Sequence, residues 1–163
     1  MSRILYTWNA LKNDLANITR DMANDDWRPD VIVGVARGGN VPAVMLSHYY
    51  DANYKSIKVQ FRDRQPGQTS IVSEMTDFPT SFRTNKTNVL VVDDINDSGQ
   101  TFQHIKTNLE KITSFDQEHI PVVKYAALVD NIHSCFTVDY SQLEINKEED
   151  PSWIVFPWEE WWT

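Results

Sequence analysis

A run of acidic, hydroxyl and glycine residues follows four apolar residues in the middle of the chain, in the sequence Val-Leu-Val-Val-Asp-Asp-Ile-Asn-Asp-Ser-Gly-Gln-Thr at positions 89–101. Glycine lets the backbone approach a ligand closely, and the start of a following helix presents unpaired N–H groups and a positive dipole end. These features predict a phosphate-binding turn at residues 97–101. The adjacent carboxylates Asp93 and Asp94 would repel a phosphate, so we expect them to hold ribose hydroxyls and Mg²⁺ instead. The alternative is an acidic helix cap.

A second glycine turn follows another short apolar run. Residues 31–36 read Val-Ile-Val-Gly-Val-Ala, and Arg37, Gly38 and Gly39 come directly after them. Arginine supplies positive charge for an anion, and paired glycines allow backbone amides to face it. Glycine turns after strands are common in α/β proteins, so this turn alone identifies no ligand.

Alternating strands and helices position both turns. Apolar residues spaced by three and four predict helices, and short apolar or alternating runs predict strands. The predicted helices cover residues 7–24, 41–50 and 102–112, and the predicted strands cover residues 31–36, 56–61, 89–92 and 122–129. This order predicts an α/β fold with a central, mainly parallel sheet flanked by helices. In such sheets ligands bind beyond the carboxyl ends of the strands, where both turns fall.

Length and composition limit the class of protein. The 163 residues predict one domain over 1–163, large enough to fold without a disulfide or a structural metal. The net charge of −8 argues against nucleic-acid binding, which needs a basic surface. No apolar run is long enough to span a membrane, and no secretion signal is evident. A single cysteine, Cys135, excludes an internal disulfide and fits a cytoplasmic location.

The acidic turn at residues 93–101 resembles the signature of the type I phosphoribosyltransferases, which bind phosphoribosyl pyrophosphate (PRPP). The resemblance implies that Asp93 and Asp94 hold the ribose hydroxyls, with Asp94 as the candidate Mg²⁺ ligand. It assigns the 5′-phosphate to Asp97, Ser98, Gly99, Gln100 and Thr101. It also implies that Asp97 is catalytic and accepts the N7 proton of a purine as the bond to ribose forms. The alternative is that Asp97 only caps the next helix.

The turn after the first buried strand resembles the pyrophosphate-binding loop of the same family, particularly its Ser-Arg-Gly-Gly form in xanthine-guanine phosphoribosyltransferases. The resemblance assigns the pyrophosphate to Arg37, Gly38 and Gly39. Ala36 stands where serine is common in that loop, so one hydroxyl contact is missing.

Residues 62–83 form a long segment rich in hydroxyls, with prolines and a glycine, and without helix periodicity. A loop of this length in a compact domain is usually a functional lid or disordered. The family resemblance implies a flexible lid that closes over PRPP, with Arg62 or Arg64 on the pyrophosphate. A solvated loop with incidental arginines is the alternative.

The sequence Trp-Ile-Val-Phe-Pro-Trp-Glu at positions 153–159 resembles the C-terminal segment of the small 6-oxopurine phosphoribosyltransferases. The resemblance implies that Trp153 stacks on the base and that backbone groups of Ile154 and Val155 read its edge. We therefore expect residues 136–163 to form a small hood that binds the base. The alternative is that Trp153 is a core or interface aromatic.

One residue departs from the 6-oxopurine pattern. Those enzymes carry a lysine at the end of the third strand, where it donates to the purine O6 atom. Here Asp130 or Asn131 occupies that place. An ionised aspartate only accepts hydrogen bonds, so Asp130 would suit a 6-amino group better than an oxo group. Adenine is therefore an open alternative.

These observations predict a purine phosphoribosyltransferase that uses Mg²⁺ and PRPP, with guanine, xanthine or hypoxanthine favoured as the base. The alternatives are a PRPP-binding regulatory module without efficient catalysis, or transfer to adenine or to a non-purine base. The family resemblance alone implies a homo-oligomer, and we expect a dimer.

Overall fold

The computed structural model describes residues 2–63, 69–73, 87–113 and 120–162, with side chains described outside residues 60–63, 69–73 and 112–113. The strands in this part of the chain are β1 (Arg3–Leu5), β2 (Val31–Ala36), β3 (Asn53–Asp63), β4 (Thr69–Ser73), β5 (Asn88–Asn96), β6 (Val122–Asn131), β7 (Leu143–Ile145) and β8 (Trp153–Val155). The helices are α1 (Trp8–Asn24), α2 (Asn40–Tyr50) and α3 (Gln100–Thr113). No helix among these residues is apolar over enough length to cross a lipid bilayer.

The central sheet has the order β4-β3-β2-β5-β6-β7. All neighbouring strands run parallel except β3 and β4, which are antiparallel. The predicted α/β fold with a mainly parallel sheet is therefore confirmed. The central strands β2 and β5 are direct neighbours, with Val31 beside Val89 and Gly34 beside Val92. This pairing brings the two predicted ligand-binding turns to the same edge of the sheet.

Both faces of the sheet are covered, because successive strand residues point to opposite sides. On one face, Ile32, Leu90 and Leu128 pack with α1 and α2 in one buried cluster. On the other face, Val33 and Val91 pack with α3 in a second cluster. The near-continuous apolar runs in β2 and β5 are typical of parallel strands buried on both faces.

The first helix follows its sequence pattern closely. Its buried side chains are Leu11, Leu15, Ile18, Thr19 and Met22, spaced to form one face. The backbone N–H of Ala10 donates to the Thr7 Oγ1 atom at 3.1 Å, so the predicted N-terminal cap is present.

Two strands extend further than their apolar runs indicated. The strand β5 continues through Asn96, so Asp93 and Asp94 lie within the strand and not in the turn after it. The strand β6 ends at Asn131. In both cases backbone pairing continues past the last strongly apolar residue, because β5 and β6 remain paired as far as Asn96 and Asp130.

The prediction of an irregular segment over residues 62–83 is wrong for the residues that the structure describes there. The strand β3 runs to Asp63, and β4 pairs with it in antiparallel register, with Arg62 beside Ser70. The five residues of this strand read Thr-Ser-Ile-Val-Ser, and the three hydroxyl residues without strict alternation concealed it. Residues 64–68 and 74–83 lie outside the described residues, so the lid itself stays a prediction.

A second, two-stranded sheet joins the two ends of the chain. The strand β1 pairs in parallel with β8, with Arg3 beside Trp153 and Leu5 beside Val155. Ile154 and Phe156 of the tail are buried in the same cluster as α1. The early part of the chain therefore fixes the segment that carries Trp153.

Candidate active site

The first glycine turn packs against the strand β5 at the carboxyl edge of the central strands. A Cβ atom added to Gly38 would lie 1.7 Å from the Oδ2 atom of Asp94. A Cβ atom added to Gly39 would lie 2.4 Å from the carbonyl oxygen of Val92. Only glycine allows this turn to pack directly on β5. The turn assigned to pyrophosphate thus lies against the acidic pair.

Arg37 lies exposed at the start of the same turn. The peptide bond between Ala36 and Arg37 is cis. The turn continues through Gly38 and Gly39 into α2, where the backbone N–H of Ala43 donates to the Gly39 carbonyl at 3.1 Å. The structure therefore places the predicted pyrophosphate residues together beside the acidic pair.

The acidic pair is half-buried on β5. The backbone N–H of Asp94 donates to the Asp93 Oδ1 atom at 2.9 Å. Burial, with the neighbouring charge of Asp94 added, raises the pKa of Asp93 well above its ordinary value. Burial also raises the pKa of Asp94. The two carboxyls titrate together, and a cation beside them would relieve the repulsion.

A divalent cation fits this pair only together with a ligand. No group of three or more His, Cys, Asp or Glu side chains in the described ranges is arranged to hold a metal ion. Mg²⁺ commonly binds through one or two carboxylates plus substrate oxygens and water. Asp93 and Asp94 match that donor set in charge and chemistry.

The turn after β5 leads directly into α3. Gly99 has a φ angle of +83°, a left-handed conformation that favours glycine. The backbone N–H of Gln100 donates to the Ser98 Oγ atom at 3.4 Å, so Ser98 does cap the helix. Capping leaves the other first-turn amides of α3 available to an anion, with Thr101 among the residues beside it. The capping and phosphate-binding interpretations are therefore compatible.

The segment after β6 braces this turn from behind. Asn96 is 2% exposed, and its Nδ2 atom donates to the Asp130 Oδ1 atom and to the Phe136 carbonyl, both at 2.7 Å. Ser134 Oγ donates to the Asn96 Oδ1 atom at 3.0 Å. The backbone N–H of Cys135 donates to the Ser98 carbonyl at 3.1 Å. These bonds fix the turn without using its outward-facing amides.

A cavity of about 220 Å³ opens beside the acidic pair. Three carboxylates, one ammonium group and apolar or aromatic side chains line it: Asp94, Ile95, Asp97, Lys147, Trp153, Ile154, Phe156 and Glu159. The exposed carboxylate of Asp97 accepts a hydrogen bond from Lys147 Nζ at 2.7 Å. The same ammonium lies 5.9 Å from the centroid of the Trp153 ring. The structure thus brings Asp97 and Trp153, predicted from separate motifs, into one cavity.

The three predicted tail residues have different environments. Trp153 is 52% exposed, whereas Ile154 and Val155 are buried. Only Trp153 and Ile154 of the three line the cavity. The carbonyl of Val155 accepts a hydrogen bond from the backbone N–H of Tyr6 at 2.9 Å, so β1 already engages it.

Asp130 is directed away from the role predicted for it. Its Oδ1 atom accepts the hydrogen bond from Asn96, and it does not belong to the residues that line the cavity. Burial raises the pKa of Asp130. The structure therefore gives Asp130 a bracing function within the turn, and its contact with a base has no support here.

The pyrophosphate role of Arg62 and Arg64 is not supported further. Arg62 lies on β3, and its side chain is not among those described. Arg64 lies outside the described residues.

The sequence did not point to Lys147, which lines the cavity, and it offered Asn131 only as an alternative to Asp130 at the end of the third strand. Lys147 belongs to an ordinary-looking charged stretch six residues before Trp153, and no motif marks it. Asn131 is buried at the end of β6, and its Nδ2 atom donates to the Asp97 carbonyl at 3.1 Å. The one available signal was an asparagine at the end of a buried apolar strand, where an amide is expected to have a specific partner.

Comparison with known proteins gives a consistent result. Residues 2–162 match the model of the phosphoribosyl transferase domain family. The chain is 29% identical to a purine phosphoribosyltransferase from Pyrococcus horikoshii, with a TM-score of 0.76 and coverage of 98% of this chain and 95% of that one.

Two further structures share the fold at lower identity. A xanthine-guanine-hypoxanthine phosphoribosyltransferase from Helicobacter pylori is 24% identical, with a TM-score of 0.78 and coverage of 97% and 94%. A hypoxanthine phosphoribosyltransferase from Staphylococcus aureus is 18% identical, with a TM-score of 0.62 and coverage of 85% and 74%.

Proposed function

The chain belongs to the phosphoribosyl transferase domain family, and we propose that it transfers the 5-phosphoribosyl group of PRPP to a purine base. The products are a nucleoside 5′-monophosphate and pyrophosphate. One observation carries this proposal: the two turns lie at the same edge of the sheet as the cavity that contains Asp97 and Trp153.

PRPP lies across the two turns in this proposal. Asp93 and Asp94 accept hydrogen bonds from the ribose hydroxyls. The first-turn amides of α3, with side chains of residues 97–101, hold the 5′-phosphate. Arg37 and the amides of Gly38 and Gly39 hold the pyrophosphate. The contact between Gly38 and Asp94 supports this arrangement, because it sets pyrophosphate and ribose groups side by side.

Mg²⁺ is the proposed cofactor, held by Asp94 together with oxygens of PRPP. When bound, it supplies positive charge that stabilises the departing pyrophosphate. The half-buried pair Asp93 and Asp94, whose pKa values are raised, supports a cation at this position.

The base occupies the cavity, stacked on Trp153. A nitrogen of the base forms a bond to ribose C1 while the bond from C1 to the pyrophosphate oxygen breaks, and the electron pair of that bond leaves with pyrophosphate. Asp97 accepts the proton that the base loses at N7. Stacking suits any flat heterocycle, so Trp153 holds the base without selecting it. Catalysis depends on positioning and on the charges around the reacting atoms.

Pyrophosphate release from PRPP and Mg²⁺ tests the proposal, measured with guanine, hypoxanthine, xanthine, adenine, uracil, orotate and nicotinate. We expect release with one or more purines, and a loss of turnover in Asp97→Ala that exceeds its loss of PRPP affinity. If pyrophosphate is released only with a non-purine base, that base and not a purine is the acceptor in the reaction.

No release with any base, combined with PRPP binding by calorimetry, would identify the alternative, a regulatory module that binds PRPP without efficient catalysis. An Asp97→Ala variant with undiminished turnover would remove Asp97 from the catalytic role.

A cytoplasmic location and a homodimer are part of the proposal and rest on the family alone. Sedimentation velocity at micromolar concentration tests the dimer, with a monomer as the result against it.

A further inference from the structure

Lys147 is the one cationic side chain that lines the cavity among the residues described there. The other charged groups of the cavity, Asp94, Asp97 and Glu159, are carboxylates. A lysine ammonium has three donors and no acceptor, whereas an ionised carboxylate only accepts. Among the side chains that the structure describes, the cavity therefore has a single strong donor, and the position of this donor decides which part of a bound base must carry an acceptor.

Lys147 is held in place by a buried amide. The backbone N–H of Lys147 donates to the Asn131 Oδ1 atom at 3.3 Å, and Asn131 Nδ2 donates to the carbonyl of Asp97 at 3.1 Å. Asn131 is only 8% exposed. One amide thus anchors both members of the ion pair between Lys147 and Asp97, although the two residues are 50 positions apart in the sequence.

The ammonium is positioned beside the place of the base. Lys147 Nζ lies 5.9 Å from the Trp153 ring centroid, so a heterocycle stacked on the indole lies next to it. The four-carbon stem of lysine is flexible enough to follow the edge of a bound base. The lysine side chain is 22% exposed, so the surrounding protein shields it partly from water.

The ion pair cannot persist unchanged through the proposed reaction. Lys147 Nζ donates to the Asp97 carboxylate, and the same carboxylate must accept a proton from the base. If Lys147 donates its hydrogen bond to an acceptor on the base instead, the Asp97 carboxylate becomes available for that proton. Of the other cavity carboxylates, Glu159 already accepts from the Phe156 backbone N–H at 2.9 Å, and Asp94 lies against Gly38.

We propose that Lys147, anchored by Asn131, is the specificity-determining residue of the base site and selects bases that present an oxo group over bases that present an amino group at the same position. This inference rests on the proposed function. An amino group would place donor against donor beside a positive charge, and the partly buried ammonium would lose its partner.

A competition assay tests the inference. The protein receives PRPP, Mg²⁺ and equal concentrations of hypoxanthine and adenine, and the ratio of the two nucleotides formed is measured by liquid chromatography. Wild-type protein should favour the hypoxanthine product. Lys147→Met should lower that ratio roughly 10- to 100-fold, the loss expected for a charged hydrogen bond. Lys147→Arg should keep the preference for the oxo base.

Lys124 offers a matched control on another part of the fold. Its side chain is also 22% exposed, it pairs with Asp25 at 3.3 Å, and it lies 5.1 Å from the Trp27 ring centroid. Lys124→Met removes the same chemical group from a similar environment outside the cavity. It should leave the product ratio unchanged.

Each outcome separates the inference from the proposed function. If wild-type protein forms no nucleotide from hypoxanthine, adenine, guanine or xanthine, the proposed function fails and the inference fails with it. If wild-type protein forms nucleotides and Lys147→Met keeps the wild-type ratio, the inference is wrong while the function stands. An equal loss for both bases in Lys147→Met also overturns it, because such a loss indicates positioning of Asp97 and not selection.

Discussion

The acidic pair Asp93 and Asp94 weakens the fold that carries it. Burial raises the pKa of both carboxyls, and the charge of Asp94 raises that of Asp93 further, so the folded chain holds their protons more tightly than the unfolded chain does. At neutral pH, where unfolded aspartate is ionised, this difference reduces the free energy of unfolding. Residues that cost stability and face a cavity edge are better explained by ligand binding than by packing.

Asp93→Asn should therefore stabilise the ligand-free protein while weakening PRPP binding. The amide oxygen can still accept the hydrogen bond from the Asp94 backbone N–H, so geometry is kept and only the charge is lost. We expect the free energy of unfolding in urea, with EDTA present, to rise at neutral pH by about 0.5–2 kcal/mol, the usual range for a single stabilising substitution.

The stability difference between Asp93→Asn and wild type should depend on pH in a definite direction. The penalty from Asp93 is fully present above its raised pKa in the folded chain and absent below the ordinary value of 3.8. The advantage of Asp93→Asn should shrink as the pH falls through this window. Glu149→Gln, which removes one charge from an exposed position, is the control. An Asp93→Asn variant less stable than wild type at neutral pH would show that the carboxylate supports the fold.

The strand β1 holds in place the segment that is proposed to bind the base. It pairs with β8, and the backbone N–H of Trp153 donates to the Ser2 carbonyl at 2.9 Å. The two turns that are proposed to bind phosphate and pyrophosphate follow strands of the central sheet, to which β1 does not belong. The two halves of the site are therefore supported by different sheets.

Deletion of residues 2–5 should accordingly affect the base and spare PRPP. Loss of β1 frees β8 and shifts Trp153. Because a small displacement of a positioned group costs roughly 10-fold or more, we expect the KM of the purine to rise by at least that factor. The Kd of PRPP, measured by calorimetry, should stay within about twofold of wild type, since no PRPP contact is removed.

Arg3→Ala is the control for that deletion. It removes the exposed ion pair between Arg3 and Glu160 while keeping the backbone pairing, and exposed pairs contribute little. Its purine KM should match wild type. Equal losses of PRPP and purine binding in the deletion would show that the two sheets act as one unit.

The sequence predicted the central elements because their patterns are local. Apolar runs identify β2 and β5, and Thr7 identifies the start of α1. The strands β1 and β7 have three residues each, too few for a period to show, and their pairing depends on distant segments. β4 was concealed by its hydroxyl residues.

The residues of the site show the same contrast between local patterns, which the sequence reveals, and contacts between distant segments, which it does not. The turns of residues 37–39 and 93–101 are contiguous motifs, so their residues were predicted and lie together. Lys147 and Asn131 join the site through hydrogen bonds between distant segments, which leave no pattern in the sequence. Asp130 was assigned to the base by its position at a strand end, but the buried amide of Asn96 engages its carboxylate.

At the scale of the whole molecule, an acidic protein is proposed to bind an acidic substrate. The chain carries a net charge of −8, and three of its carboxylates, Asp94, Asp97 and Glu159, line the cavity. The positive end of α3 and Arg37 offset part of this charge. A divalent cation is the group that can offset the remainder.

PRPP binding should therefore require Mg²⁺. We expect calorimetry to show affinity at least about 10-fold weaker in EDTA than in Mg²⁺, since charges about 4 Å apart interact by about 4 kcal/mol near a protein surface. A NaCl control at matched ionic strength separates screening from specific binding. The same affinity with and without Mg²⁺ would rule out the metal at the acidic pair.

The central claim, phosphoribosyl transfer to a purine, is tested most directly by its nucleotide product. The protein is incubated with PRPP, Mg²⁺ and hypoxanthine, and nucleotide and pyrophosphate are both quantified by mass spectrometry and a coupled assay. We predict equimolar inosine 5′-monophosphate and pyrophosphate, with both reduced together in Asp97→Ala. Pyrophosphate without nucleotide would indicate hydrolysis of PRPP, and neither product with hypoxanthine, guanine, xanthine or adenine would contradict the claim.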